Sequence, residues 1–505
     1  MNELATEKNY RFLNHVEKIG NKLPHPFIMF VYLCLIIMAI SSICSLTGVS
    51  AVNPATGETV VVQNLFSKAG LQWILTNMIK NFTGFAPLGI VLVITLGTGL
   101  AEECGFFFTF LKQVMTGVPG ALITAAIVLC GILGNIASDA AFVFLPPIGA
   151  LIFLSVGRHP LAGLAAGYAG VGAGFTANLL ITPQDANLAG ITNAAVALIN
   201  PDLAINPAAN WYFLIASTIV LTILGTLITD KLVEPRLGKY APEGGEEQVA
   251  GITALEKRGL RNAGFATLAY LALIFLCVVP QNGILRGADG SILKSPFMSG
   301  LIPIIFFLFL VISLAYGKTV GTIQSSKDVP RLMGVAIQKL SGFIVLCFVI
   351  GQFVAFFNWS NLGTILAVNG AELLSNIGFT GTPLIICFIL FTAFINLFIG
   401  SGQAKWAILA PIFIPMLTLL DYSPAFIQMA YRIGDSATNV ISPLFTYVAI
   451  LLAYVQKYRK DAGIGTLMSL MMPYALIFLA AWIVLLLLWM VAGLPLGPGA
   501  AIMLG

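Results

Sequence analysis

The sequence predicts an all-α polytopic membrane protein: nine transmembrane helices plus two re-entrant helical hairpins, set in inverted-topology repeats. Three observations predict it. Of 505 residues, 58% are hydrophobic and only 9% charged, against roughly 25% charged residues in soluble domains, so lipid is the solvent for most of this chain. Apolar runs of about 20 residues recur, separated by short loops that collect Lys and Arg. One order of features also occurs twice: two short apolar arms around a polar tip, then a crossing broken at an Asn-to-Pro segment.

The elements follow in order. Lys8, Arg11, Lys18 and Lys22 precede the first apolar run and place the N-terminus in the cytoplasm. That run, near 27–47, is too long for a signal-peptide core and is expected to be a retained span. Leu71, Ile74, Leu75, Met78 and Ile79 recur at helical spacing, as in an amphipathic helix on the outer face; these features make up an N-terminal segment, 1–82.

A first repeat, 83–230, holds a span near 84–108, a hairpin over about 119–156 and a broken helix over about 160–200, interrupted at Gly174–Pro183. A span near 210–230 closes it. Lys112 and Arg158 flank the hairpin, so it opens toward the cytoplasm with Asn135, Ser138 and Asp139 at its tip. Non-helical backbone at that depth is tolerated only inside protein or beside a watery cavity.

The stretch 231–262, with six basic residues from Lys231 to Arg261 and an acidic run at 241–247, is expected to be a cytoplasmic linker. A second repeat, 263–460, has spans near 263–281, 299–317 and 341–358 and a basic stretch Lys318–Lys339. A hairpin over about 382–420 follows, with Ser401, Gly402 and Gln403 at its tip, then a broken helix over about 424–456 interrupted at Asp435–Pro443. A final span near 470–493 lies in 461–505. Laying Pro147 on Pro411 also lays Pro160 on Pro424 and Gly170 on Gly434. The second hairpin opens outward, at Asp421 and Tyr422, so the halves are inverted. Inverted repeats with broken helices at matching places point to a secondary transporter with its site near the midplane.

Other classes are disfavoured. A net charge of +4 gives no reason to invoke nucleic acid. Seven cysteines include no CxxC pair, and three histidines form no HExxH. The glycines at 163, 167, 170, 172 and 174 lack a following Lys-Ser/Thr, so close helix packing accounts for them better than a phosphate loop does. No nucleophile–base pair is evident, and no enzymatic activity is expected.

Ionisable groups at membrane depth are expensive and call for partners or roles. Asp139, Asp185 and Asp435 are candidates for coupling Na⁺ or H⁺, or for capping half-helices and pairing with a buried base. Arg432 lies three residues before Asp435, on the same helical face; it either neutralises that carboxylate or holds a substrate carboxylate. Lys405 either attracts an anion or, the favoured reading, snorkels to the outer interface. Trp406 either stacks on an aromatic substrate or, the favoured reading, anchors at the interface. Asn135, Asn178, Asn396 and Asn439 recur at each break as candidate Na⁺ ligands or backbone partners. Glu102 and Glu103 are expected to be solvated.

Several long stretches occur in order: Ile19-Gly-Asn-Lys-Leu-Pro-His-Pro26, Asn81-Phe-Thr-Gly-Phe-Ala-Pro-Leu-Gly89, Ser138-Asp-Ala-Ala, Val156-Gly-Arg-His-Pro160, Gly174-Phe-Thr-Ala-Asn-Leu-Leu180, Pro280-Gln-Asn-Gly-Ile-Leu-Arg286 and Ile408-Leu-Ala-Pro-Ile-Phe413. In these the chain resembles the AbgT family, the p-aminobenzoyl-glutamate transporters. The resemblance implies a homodimer in the bacterial inner membrane, an elevator-like relation to divalent-anion/sodium symporters, and import of p-aminobenzoyl-glutamate or export of sulfonamide drugs. The family's proposed functional positions correspond to Asp185, Trp406, Pro424, Arg432, Asp435 and Pro443. Gln403 stands where the family commonly has Ser. With the resemblance included, substrate contact is expected at Ser138, Asn178, Ser401, Gln403, Trp406, Arg432, Asn439 and Pro443. Ion coupling is expected at Asn135, Asp139, Asp185, Asn396 and Asp435, and hinges at Pro183, Pro424 and Pro443. No cofactor beyond a coupling Na⁺ or H⁺ is expected.

Overall fold

The computed structural model of the chain describes residues 24–52, 59–137, 140–240, 251–293 and 295–504. Helices dominate them. In lipid every backbone polar group must be satisfied within the protein, and a helix does this by itself. Eight helical segments among the described residues are long and apolar enough to cross a membrane.

Helix α1 (Pro26–Leu46) begins with a proline whose missing N–H loses no bond at that position. A short antiparallel pair, β1 (Ser50–Val52) with β2 (Thr59–Val61), follows, then α2 (Lys68–Thr83), capped by Ser67. Helix α3 (Ala86–Glu103) stops short of the expected span end. Gly105, at φ 88°, turns the chain into a separate helix, α4 (Phe106–Thr116).

The first hairpin consists of α5 (Ile123–Gly134) and α6 (Ala140–Ser155). At about 1.5 Å rise per residue neither arm reaches the ~30 Å of a bilayer core. Helix α7 (Pro160–Tyr168) widens into a π turn, Ala169–Ala173. Helical structure then lapses until α8 (Pro183–Val196). Helix α9 (Trp211–Ile228) runs through a second π turn into Glu234–Leu237.

Helix α10 (Ala254–Val278) starts inside the stretch expected to be linker, fixed there by a capping box between Thr253 and Glu256. Then come α11 (Leu301–Val320), the amphipathic α12 (Asp328–Lys339), α13 (Ser341–Trp359) and α14 (Leu362–Asn376). The second half ends like the first. Arms α15 (Gly381–Asn396) and α16 (Gly402–Thr418) precede α17 (Pro424–Ala437), a 3₁₀ turn Asn439–Ile441 and, beyond an irregular stretch, α18 (Val448–Tyr458). Helix α19 (Ile464–Val491) packs on α17, α9 and the turn at 439–441.

Two contacts position the first hairpin. A Cβ on Gly163 would lie 2.2 Å from the Gly149 carbonyl, and one on Gly170 2.5 Å from that of Val128. The α6–α7 and α5–π-turn contacts are therefore backbone on backbone, a packing that only small residues permit. At the open end of the first hairpin, Arg158 donates to Thr124 at 2.7 Å, to Asp230 at 2.6 Å and to Glu234. This ties both arms to the end of α9. Glu102 and Glu103 are not simply solvated: Lys339 of α12 reaches them at 2.8 and 2.5 Å.

Candidate functional site

The two chain breaks meet in the interior. Thr182 caps α8, and Asp185 completes the capping box by accepting from the Thr182 N–H at 2.6 Å and its hydroxyl at 2.7 Å through Oδ2. The other oxygen, Oδ1, accepts from Arg432 of α17. Residues 247 positions apart are thereby joined, with Asp185 3% and Arg432 1% exposed. Capping a half-helix and pairing with a buried base, the structural alternative for Asp185, are the contacts it makes. Arg432 does not neutralise Asp435, although the helical spacing allowed it. Its Nε has no hydrogen-bond partner among the described residues, so the guanidinium retains donor capacity.

Asp435 instead pairs with Lys405 of α16, Nζ to Oδ1 at 2.6 Å. Lys405 also donates to Asn396 Oδ1. It is fully buried, which overturns the expectation that it snorkels outward: four methylenes reach inward to the carboxylate because α16 packs its first turn against α17. Asp435 Oδ2 has no partner among the described residues. It lies 2.8 Å from where a Cβ on Gly402 would stand, so a glycine at the second tip lets the backbone rest on the carboxylate. Two ion pairs therefore sit side by side without access to water. Removing one partner from such a pair costs about 3–5 kcal/mol, because it strands a charge.

Trp406 is not an interfacial anchor. It is fully buried, donates Nε1–H to Thr192 Oγ1 of α8 at 3.0 Å and lies 4.3 Å, centroid to centroid, from Tyr431. The Tyr431 hydroxyl donates to the Gly402 carbonyl. Helices α15, α16, α17 and α8 form one packed unit here.

The asparagines differ by half. Asn396 donates to the Asp435 carbonyl at 2.5 Å and to Thr438 and Asn439 at 2.9 Å, so with Lys405 on its oxygen its amide is fully engaged. Asn439 reaches the Gly172 carbonyl at 3.4 Å, and the Thr176 and Ser436 hydroxyls meet at 2.7 Å; both contacts cross between the breaks. Asn135 and Asn178 each donate to the Ile132 carbonyl at 3.1 Å. Asn135 Oδ1 is buried without a partner among the described residues. Ser138 and Asp139 lie outside the described residues. Ser401 caps α16 by accepting from the Ala404 N–H. Pro183 and Pro424 open α8 and α17, and Pro443 lies in the second break.

One contact lay outside the sequence reasoning. Gln403 Nε2 donates to Gln184 Oε1 at 3.0 Å, bridging the first turns of α16 and α8. Gln184 carries no charge and matches no motif, so only its place beside Asp185 could have drawn attention to it.

Broken helices that meet at buried, paired charges, within a chain of eight membrane-spanning candidates, define a polytopic transport protein. The chain belongs to the AbgT putative transporter family, whose profile matches residues 11–504. It is 47% identical over 496 residues to the p-aminobenzoyl-glutamate transport protein of Escherichia coli (strain K12), covering 98% of this chain and 97% of that one. Similar solved structures include the following two. The Alcanivorax borkumensis YdaH transporter has a TM-score of 0.89 at 41% identity, over 94% of this chain and all of that one. Neisseria gonorrhoeae MtrF, described with a class of antimetabolite efflux pumps, has a TM-score of 0.92 at 45% identity, over 97% of this chain and all of that one.

Proposed function

We propose that this protein is an ion-coupled importer of p-aminobenzoyl-glutamate or a similar aromatic acyl-glutamate, working in the bacterial inner membrane as a homodimer with its N-terminus in the cytoplasm. In this proposal nine crossings and two re-entrant hairpins form inverted repeats spanning 83–230 and 263–460, and the hairpins and broken helices move together in an elevator step. The observation that carries it is the buried Asp185–Arg432 pair, which joins the breaks of the two halves where helix N-termini of α8 and α16 also converge. Helix N-termini favour anions, and the unused Arg432 Nε–H is suited to a carboxylate.

Substrate carboxylate is held by Arg432, Ser401 and the side-chain amides of Asn178, Asn439 and Gln403, with Ser138 and Pro443 at the edges. Trp406 packs the aromatic part. Asp139, Asp185 and Asp435 couple the ion. A buried amide oxygen without a partner among the described residues, Asn135 Oδ1, supports a Na⁺ ligand role there, with Asn178 nearby on the same carbonyl; at the second tip Asn396 Oδ1 and Asp435 Oδ1 already face an ammonium. Pro183, Pro424 and Pro443 act as hinges. Uptake of labelled p-aminobenzoyl-glutamate into proteoliposomes under an imposed Na⁺ or pH gradient tests this, and no accumulation under either inward gradient removes the importer reading.

The similarity to MtrF favours a second reading, proton-driven export of sulfonamide-type antimetabolites. Counterflow of a labelled sulfonamide against an imposed pH gradient separates the two.

A further inference from the structure

A groove of about 510 Å³ lies apart from the buried ion pairs, where the extension of α9 (Glu234–Leu237) meets the start of α7, the end of α18 and the first turns of α19. That volume is in the range of small-ligand sites. Its walls are mostly aliphatic. Leu161 and Val455 are buried and Leu470 is half-buried, while Leu232, 49% exposed, stands open at the edge.

Four polar side chains line the rest, and all four offer donors. A guanidinium has five N–H groups. Arg236 uses one of them, on Ser469 Oγ at 3.3 Å, and Arg459 uses two, on Asp461 at 3.2 and 3.4 Å. The Ser469 hydroxyl accepts from Arg236 and the Thr466 hydroxyl from the Gly463 N–H at 3.3 Å, and neither donates among the described residues. No acidic residue lines the groove. The adjoining segments 231–239 and 457–461 carry six basic residues and two acids. Of those acids, Glu234 is held by Arg158 and Asp461 by Arg459. An occupant that matches this groove brings negative charge, acceptor oxygens and an aliphatic tail. A phosphodiester has two anionic oxygens that accept without donating, and they suit the fork of a guanidinium. An acidic peptide would answer the arginines but leave the aliphatic walls uncovered.

We propose that this groove binds the headgroup of an anionic phospholipid: its phosphate sits on Arg236 and Arg459, the Thr466 and Ser469 hydroxyls donate to it, and the start of an acyl chain covers Val455, Leu470 and Leu232. Basic pockets between membrane helices recognise anionic headgroups by this combination of charge and apolar wall. The bound lipid touches α9, α18 and α19 at once, and so ties together helices that are far apart in sequence.

The test is native mass spectrometry of the full chain released from micelles titrated with phosphatidylglycerol or phosphatidylcholine. A basic residue near an anionic headgroup contributes about fivefold in affinity. Wild type is therefore expected to prefer phosphatidylglycerol by about twenty-five-fold, Arg236→Gln or Arg459→Gln by about fivefold, and the double variant by less than about twofold. Arg236→Lys with Arg459→Lys keeps the charge and is expected to retain most of the preference. Both arginines are exposed, so these changes strand no buried partner, and an unchanged Tm in detergent checks that the variants fold. Lys257→Gln with Arg258→Gln, two exposed charges on α10 outside the groove, is expected to leave lipid binding as it was. Equal affinity of wild type for the two lipids overturns the proposal without requiring any variant to fold. An equal loss in the α10 variant also overturns it, because the preference would then belong to diffuse surface charge.

Discussion

Replacing Lys405 by Met removes an ammonium that has no exposure to solvent and leaves Asp435, 1% exposed, without its 2.6 Å counterion. The remaining contact to that carboxylate oxygen is the Tyr431 hydroxyl at 3.4 Å, too long to replace an ion pair. The stranded charge is expected to destabilise the protein by about 3–5 kcal/mol. Asp435→Asn alone strands Lys405 in the same way. The double variant carries neither charge, so its loss is expected to fall short of the summed single losses by on the order of 3 kcal/mol. Denaturant titration in mixed micelles, followed by tryptophan fluorescence, measures all four corners of the cycle. The same cycle on Asp185→Asn and Arg432→Met is expected to show coupling of similar size, and Arg432→Met with Asp435→Asn distinctly less. Additivity within about 0.5 kcal/mol at positions 405 and 435 would refute the pairing.

Gly402→Ala places a methyl 2.8 Å from Asp435 Oδ2, closer than van der Waals contact permits; transport is expected to drop at least about tenfold, as a misplacement near 1 Å does at a site of this kind, and initial uptake rates check it. Arg432→Ala and Asp185→Ala are each expected to abolish uptake while the protein still reaches the membrane; normal uptake by both displaces the site. At the surface, backbone N–H groups of Ser325 and Gln324 hold the Asp328 carboxyl down at about 2. Its hold on the turn that precedes α12 is therefore fully present above the ordinary carboxylate range and is lost as pH falls toward 2. Hydrogen exchange at 325–331 is expected to speed up in Asp328→Asn at pH 7, and in the wild type only in strong acid.

How far the sequence was legible depends on length scale. Long apolar runs such as 26–46 and 464–491 announce themselves by composition alone. Helices α4, α12 and α14, of 11, 12 and 15 residues, were not anticipated, because their mixed polarity dilutes a window of about 20 residues. At the site, the sequence singles out Asp185, Arg432, Asp435 and Lys405 as unusual at membrane depth but offers one pair alone, Arg432 with Asp435, by nearness along one helix. The true partners lie 247 and 30 positions apart, and tertiary packing overrode the local spacing. Lys405 and Trp406 were assigned to the interface because such residues commonly end spans; both instead follow a tip that folds inward.

Asp185, Arg432, Lys405 and Asp435 sum to zero in their ionised forms. In the elevator step proposed above, carrying these four groups together across the bilayer would move no net charge through the field. One uncompensated charge would feel about 2.3 kcal/mol per 100 mV, enough to trap an empty carrier on one side. With the pairs intact, the membrane voltage would do no work on these groups in such a step, and any voltage dependence of transport would report the charge of the bound ligand and ion.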